Sequence, residues 1–230
     1  MKTRMRSLSG LTLIEAMIVV AILAVLVAML LPALGRARSK SKRINCTNSL
    51  RSIGLSFRQW AADNDDKFPM QVTITNGGAM EWARAGLAWR VFQVMSNEIN
   101  TPKILVCSAD SDGRRVIATT FGTANPNASW PPISFTNNQN VSYFAGLDSS
   151  RSQTNLLLVG DSHFEVGGKA LASGLQELSS ERAVGWTAAR HHKRTGNLGF
   201  TDGSVRPFTS QELPVVFKTA GLATNRLVLP

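Results

Sequence analysis

Ser162 ends the run Leu156-Leu157-Leu158-Val159-Gly160-Asp161-Ser162, an apolar strand pattern delivering a hydroxyl that could act as a nucleophile beside a suitable base. His191 and His192 lie further along the chain, within Arg190-His191-His192-Lys193-Arg194, where the neighbouring positive charge disfavours both protonation and metal cations. Asp63, Asp65 and Asp66 open like a calcium loop, but Phe68 stands where the turn glycine belongs and Ile74 where the closing glutamate belongs. Asp110-Ser111-Asp112-Gly113 is incomplete in the same way. Two cysteines, Cys46 and Cys107, are too few for a disulfide scaffold or a four-cysteine metal site. A position outside the cytoplasm permits one bridge between them, tying the long helix to the sheet; two buried free thiols are the alternative, since sequence gives no distance. Glu15 poses a different question. It sits inside an apolar run, where a carboxylate costs about 2.5 to 3.5 kcal/mol at the centre of a membrane helix and so calls for a partner.

That run extends from Leu11 to Leu34, 24 positions broken by Thr12, Glu15 and Pro32, with Gly35 just past its end. At about 1.5 Å per residue it is long enough to cross a hydrocarbon core of roughly 30 Å. A secretory signal has a shorter apolar region followed by a small-residue cleavage site; this run is longer and ends in Arg36 and Arg38. Hydropathy by itself suits a plain signal anchor equally well. The chain has 25 basic and 15 acidic residues, a formal charge of +10; without residues 1–10, which carry Lys2, Arg4 and Arg6, it keeps +7. Such a balance favours anionic partners. The clusters Arg36 to Arg43 and Arg190 to Arg194 suit nucleic acid, although the first more simply meets anionic lipid headgroups.

The stretch Ser9-Gly10-Leu11-Thr12-Leu13-Ile14-Glu15 resembles the processing site of prepilins: a glycine, an apolar residue, Thr-Leu-Ile-Glu, then a long apolar helix. The resemblance implies that a membrane peptidase cuts after Gly10 on the cytoplasmic side and methylates the new amine, making Leu11 the first mature residue. It gives Glu15 its partner, the N-terminal amine of a neighbouring subunit in a filament. Leu11 departs from the usual phenylalanine, and Pro32 matches a proline common in pilin helices, where it removes one helical hydrogen bond and permits bending. His192, nine intervening residues, then Asp202-Gly203 resembles a His-x9-Asp-Gly signature of many bacterial prepilin-like proteins. Cys46-Thr47-Asn48-Ser49-Leu50-Arg51-Ser52-Ile53-Gly54-Leu55 looks like the helix segment of the same group. The Gly160-Asp161-Ser162 block resembles that of the Gly-Asp-Ser esterases. Their late Asp-x-x-His is missing, since Ala188 and Ala189 stand three residues before the two histidines.

The elements that position these residues follow from periodicity. Leu50, Ile53, Phe57 and Trp60 recur at helical spacing, so one helix is predicted from Leu11 to about Ala62, roughly 78 Å long, ended by Asp63 to Pro69. A second helix is predicted over Glu81 to Ile99, with Trp82, Ala85, Trp89, Phe92, Met95 and Ile99 on one face. Strands are predicted at Ile104 to Val106, Val116 to Phe121, Val141 to Phe144, Leu156 to Val159 and Val184 to Thr187, with a polar loop from Gly122 to Asn140. Asp202-Gly203 reads as a two-residue hairpin turn. The expected architecture is α+β and pilin-like: leader 1–10, transmembrane and assembly helix 11–34, its continuation 35–62, and a head, 63–230, built on a small antiparallel-rich sheet.

The expected function is that of a structural subunit of a type IV pilus-like filament, not an enzyme, with the prepilin peptidase, other pilin-like subunits and the inner membrane as partners. A pseudopilin of a type II secretion system is the closest alternative, and a membrane-anchored periplasmic enzyme or binding protein the alternative of another class. No cofactor is expected, with calcium in the head left open because some secretion pseudopilins bind it there. A count of positive charges would place the flank after Leu34 in the cytoplasm. The processing motif requires the opposite, a periplasmic head.

Overall fold

A computed structural model describes residues 13–123, 132–179, 181–188 and 194–230. The chain forms two compact units, Met1–Ser41 and Lys42–Pro230, and one helix, α1 (Leu13–Ala62), contributes to both. Ala, Leu, Met, Ile and Val without an interrupting glycine before Gly35 support its first half, and Pro32 lies inside it. Its end is chemically defined. The Asn64 side chain donates to the Trp60 carbonyl at 2.8 Å and the Asp66 amide to the Ala61 carbonyl at 2.9 Å, so the last carbonyls keep partners while Asp65 and Asp66 turn through left-handed backbone.

In the second unit the helical face of Cys46, Leu50, Ile53, Phe57 and Trp60 is buried, with Phe57 edge-on to both Phe68 and Phe92. The single helix expected over Glu81 to Ile99 is three short ones, α2 (Met80–Arg84), α3 (Ala88–Val94) and α4 (Ser96–Ile99). Gly86 breaks it: its φ of 83° is left-handed, and a β-carbon there would come within 2.9 Å of the Gly174 backbone. Ala85 is consequently exposed, while Phe92, Met95 and Ile99 stay buried.

Two expected strands are absent. Ile104 to Val106 belongs mostly to a 3-10 turn, Pro102–Leu105, in which Pro102 supplies a fixed φ at the first position. Residues Val116 to Phe121 make irregular bonds to residues 133–139 and one isolated bridge, Thr120 to Ser134. In the described part of the polar loop, a 3-10 turn, Asn138–Asn140, is held by the Asn140 side chain accepting the amides of Thr136 and Asn137. That turn delays the next strand by two residues.

The regular strands are β1 (Tyr143–Gly146), β2 (Leu157–Asp161), β3 (Phe164–Val166), β4 (Lys169–Ala170), β5 (Gly174–Leu178), β6 (Val184–Trp186), β7 (Thr195–Phe200) and β8 (Val205–Thr209). Helix α5 (Leu213–Thr219) and β9 (Asn225–Leu229) follow. An antiparallel six-stranded sheet runs β5-β9-β1-β2-β7-β8, and a smaller one runs β4-β3-β6. The architecture is therefore α+β and pilin-like, a long N-terminal apolar helix followed by an antiparallel sheet head.

The large sheet is buried on both faces. Tyr143, Ala145 and Val228 join the core under α1, whereas Phe144, Leu198, Leu227 and Leu229 join a second core with Phe164, Trp186 and Phe217. A register shift between Leu157 and Val159 against β7 marks a bulge, and Leu158 and Val159 both reach the helix side. Gly196 is fixed by contact: the Trp186 ring lies where its β-carbon would be, 2.6 Å away.

Cys46 of α1 and Cys107, just past the 3-10 turn, are joined by a disulfide with their Cα atoms 5.2 Å apart, closing 61 residues of sequence separation. In the chain-entropy model that loop is worth about 4 kcal/mol. Reduction, or Cys107→Ser, is expected to lower the unfolding free energy of the head, read from its denaturant midpoint and slope, by an amount approaching that figure; an unchanged midpoint after verified reduction would refute the stabilising role.

Candidate functional site

The apolar segment of α1 is bare. Its large side chains range in exposure from 81% at Leu13 to 50% at Val27, and the same holds through Leu34. Water does not tolerate such a continuous apolar cylinder, and α1 is long and apolar enough there to cross a membrane. Glu15 occupies the first turn, where the partial positive charge of the helix N-terminus favours a carboxylate. Pro32 sits exposed within the helix and removes one backbone donor. Gly10 and Leu11 lie outside the described residues, as does His192.

Three segments that the sequence singles out separately meet in the head. Thr47, from the Cys46 to Leu55 stretch of α1, shares its hydroxyl proton between the Arg43 carbonyl at 3.1 Å and Asn197 Oδ1 at 3.3 Å. Asn197 lies on β7, inside the interval between His192 and Asp202. Its amide and its side-chain nitrogen donate to Asp161 Oδ2 at 2.7 and 3.0 Å. Asp161, of the Gly-Asp-Ser block, is fully buried and is the cross-strand partner of Tyr143. The carboxylate therefore fastens β2 to β7 beneath the helix, where a buried charge needs such donors. Burial, and next the Asp161 charge, push the Tyr143 hydroxyl well above its ordinary value of 10, with Ser49 of α1 opposing part of the effect.

Asp202 and Gly203 make a second contact with α1. Arg58 Nη1 donates to the Asp202 carbonyl at 2.8 Å, and a β-carbon on Gly203 would stand 3.0 Å from that nitrogen. The turn differs from the two-residue form expected. Phe200 and Ser204 close it, the Gly203 amide bonds the Phe200 carbonyl, and only Gly203 has positive φ, 87°. That is a three-residue loop with glycine in the left-handed position, and Asp202 supports it by accepting the Ser204 amide at 2.7 Å. Sequence reasoning identified Asp202-Gly203 but missed Arg58, Asn197 and Tyr143; the only local signal was a carboxylate, Asp161, at the end of an otherwise apolar strand.

The remaining candidates have structural occupations. The Ser162 hydroxyl donates to the Ser142 carbonyl at 2.8 Å and Asp161 is committed to Asn197, so the Gly-Asp-Ser block is assembled as a sheet end. Ser162 and His163 do line a cleft of about 460 Å³ with Arg114, Arg115 and Thr187. Asp110 pairs with Arg115 and Asp112 with Arg114, both at 3.0 Å, and Asp66 pairs with Arg151. No group of three or more His, Cys, Asp or Glu that could hold a metal occurs among the described residues. In the basic cluster only Arg194 is described; its φ is 59° and its carbonyl accepts the Ser210 amide. Arg190, His191 and Lys193 lie outside the described residues.

A bare apolar helix with an acid in its first turn, followed along the chain by an α+β head, fits a pilin-like fold. Residues 5–31 match the family model described as the prokaryotic N-terminal methylation motif, and this match supports a pilin-like protein with a prepilin-type N-terminus. The match does not reach His192, Asp202 or Gly203. No curated protein and no solved structure matches the chain.

Tyr143 is the one tyrosine in the chain, so its titration can be followed directly. The neutral phenol is the form the fold accommodates. Stability is therefore expected to hold up to the unfolded-state value near 10 and to fall as pH rises beyond it. Phenolate absorbance should appear only together with loss of the head's ellipticity; a phenolate signal near pH 10 in intact protein would contradict this burial.

Proposed function

We propose that the chain is a structural subunit of a pilus-like filament. It is cut after Gly10 by a prepilin peptidase, methylated on Leu11, and held in the inner membrane by the Leu11 to Leu34 helix with its head periplasmic. Assembly then exchanges lipid around that helix for the helices of neighbouring subunits. The observation that carries this is the methylation motif at residues 5–31, followed by a helix whose large apolar side chains from Leu13 to Leu34 are exposed. Two groups that lipid disfavours separately, the Glu15 carboxylate and a neighbour's N-terminal amine, are neutralised together on packing. Pro32 gives the helix a place to bend as it leaves the bilayer. No step in this role requires a catalytic residue.

The same subunit chemistry serves a pilus or a type II secretion pseudopilus. Deletion separates the two: loss of surface filaments marks the first, and loss of export of folded proteins marks the second.

Processing supplies the primary test. The wild-type chain is expected to yield a product beginning at N-methylated Leu11, Gly10→Val to stay at full length, and Glu15→Ala to be cut yet fail to enter filaments. A mature protein that still starts at Met1 would refute the proposal.

A further inference from the structure

The apolar segment of α1 gives way to charge within two residues of Leu34. Arg36, Arg38, Lys40 and Lys42 are exposed and Arg43 is half-buried. Successive helical positions differ by about 100°, so Arg36, Lys40 and Arg43 fall on one side of the helix and Arg38 and Lys42 on the other. The charges thus occupy two opposite faces of the helix. No ion pair among the described residues engages them. From Leu13 to Leu34 the helix rises about 33 Å, which places the charges at the headgroup level of a bilayer whose hydrocarbon is roughly 30 Å thick. Residues 11–56 contain no Trp or Tyr, so the aromatic belt that commonly fixes a helix at this level is missing.

We propose that Arg36, Arg38, Lys40, Lys42 and Arg43 form a collar that recruits anionic phospholipids around the helix where it leaves the bilayer; this rests on the membrane reading above. Charge on opposite faces decides between the two anionic partners that charge alone allows. A nucleic-acid duplex touches a helix from one side and rewards cations on one face, whereas a lipid leaflet surrounds the helix and rewards cations on opposite faces. Long basic side chains next to an apolar cylinder also lay their methylene stems on hydrocarbon and their charged ends among phosphates.

The full chain, reconstituted into phosphatidylcholine vesicles carrying trace spin-labelled phosphatidylglycerol or spin-labelled phosphatidylcholine, tests the collar through the motionally restricted lipid fraction. Phosphatidylglycerol is expected to be preferred more than twofold at low salt, the ratio falling toward one in high salt. It should fall likewise at low salt when all five residues are changed to glutamine. Lys2, Arg4 and Arg6 are retained in that variant, so the difference between the two chains reports the collar alone. A ratio of one in the inserted wild-type chain, or an equal preference in the glutamine variant, overturns the proposal. Tight binding of duplex DNA by that same inserted chain with a lipid ratio of one would reassign the charges to nucleic acid. A chain that fails to insert refutes the membrane reading instead.

Discussion

The large apolar side chains from Leu13 to Leu34, each at least half exposed, are the constraint on which everything else in this protein depends. Left in water, that surface would cost on the order of tens of kcal/mol, which exceeds the whole stability of an ordinary domain. The segment must therefore always be covered, by lipid or by other helices. A transfer between those two environments is feasible because both are apolar, so the hydrophobic term is nearly the same at either end. What distinguishes them is polar chemistry at the margins. Glu15 lies at one end and the cations after Leu34 at the other.

The head solves a separate problem, which is to hold the second half of the same helix. From Cys46 onward α1 changes from apolar all round to apolar on one face, and that face is closed over by the sheet. Three kinds of bond add direction to the packing. The Cys46 disulfide is covalent, the Thr47, Asn197 and Asp161 group is a buried hydrogen-bonded set, and Arg58 with the Asp202 carbonyl is a charge-assisted contact at the surface. Apolar packing alone would allow the helix to slide or rotate on the sheet; the polar and covalent contacts permit one register.

Much of this was legible because it rests on local periodicity. The i, i+3, i+7, i+10 pattern of Leu50, Ile53, Phe57 and Trp60 is a buried helical face, and the long apolar run is a helix because only Pro32, near its end, opposes one. The failures share a cause as well. The apolar spacing over Glu81 to Ile99 is helical, but Gly86 turns the chain because the backbone of Gly174, nearly ninety residues on, needs the space. Ile104 to Val106 has strand composition yet follows a proline that starts a 3-10 turn. Asp202-Gly203 suits a two-residue hairpin, and only Arg58 and Ser204 show why the loop takes three. Long-range partners decide each case, and they are not encoded within any short window of sequence.

The same reasoning gives the Asp202-Gly203 signature a physical meaning. A hairpin turn can be built from many sequences, so turn formation alone does not call for these two residues. Here the turn must also present a carbonyl to Arg58 and leave room for the guanidinium beside it. Glycine at 203 satisfies both demands, through its left-handed φ and its missing β-carbon, and Asp202 rigidifies the loop by capping Ser204. The strand that leads into this turn carries Asn197, whose amide and side chain hold the buried Asp161. A single hairpin thus supplies two contacts that lock α1 to the sheet, eleven residues apart on the helix at Thr47 and Arg58. Two fixed points define a line, and a line is what orients a helix on the surface of a sheet.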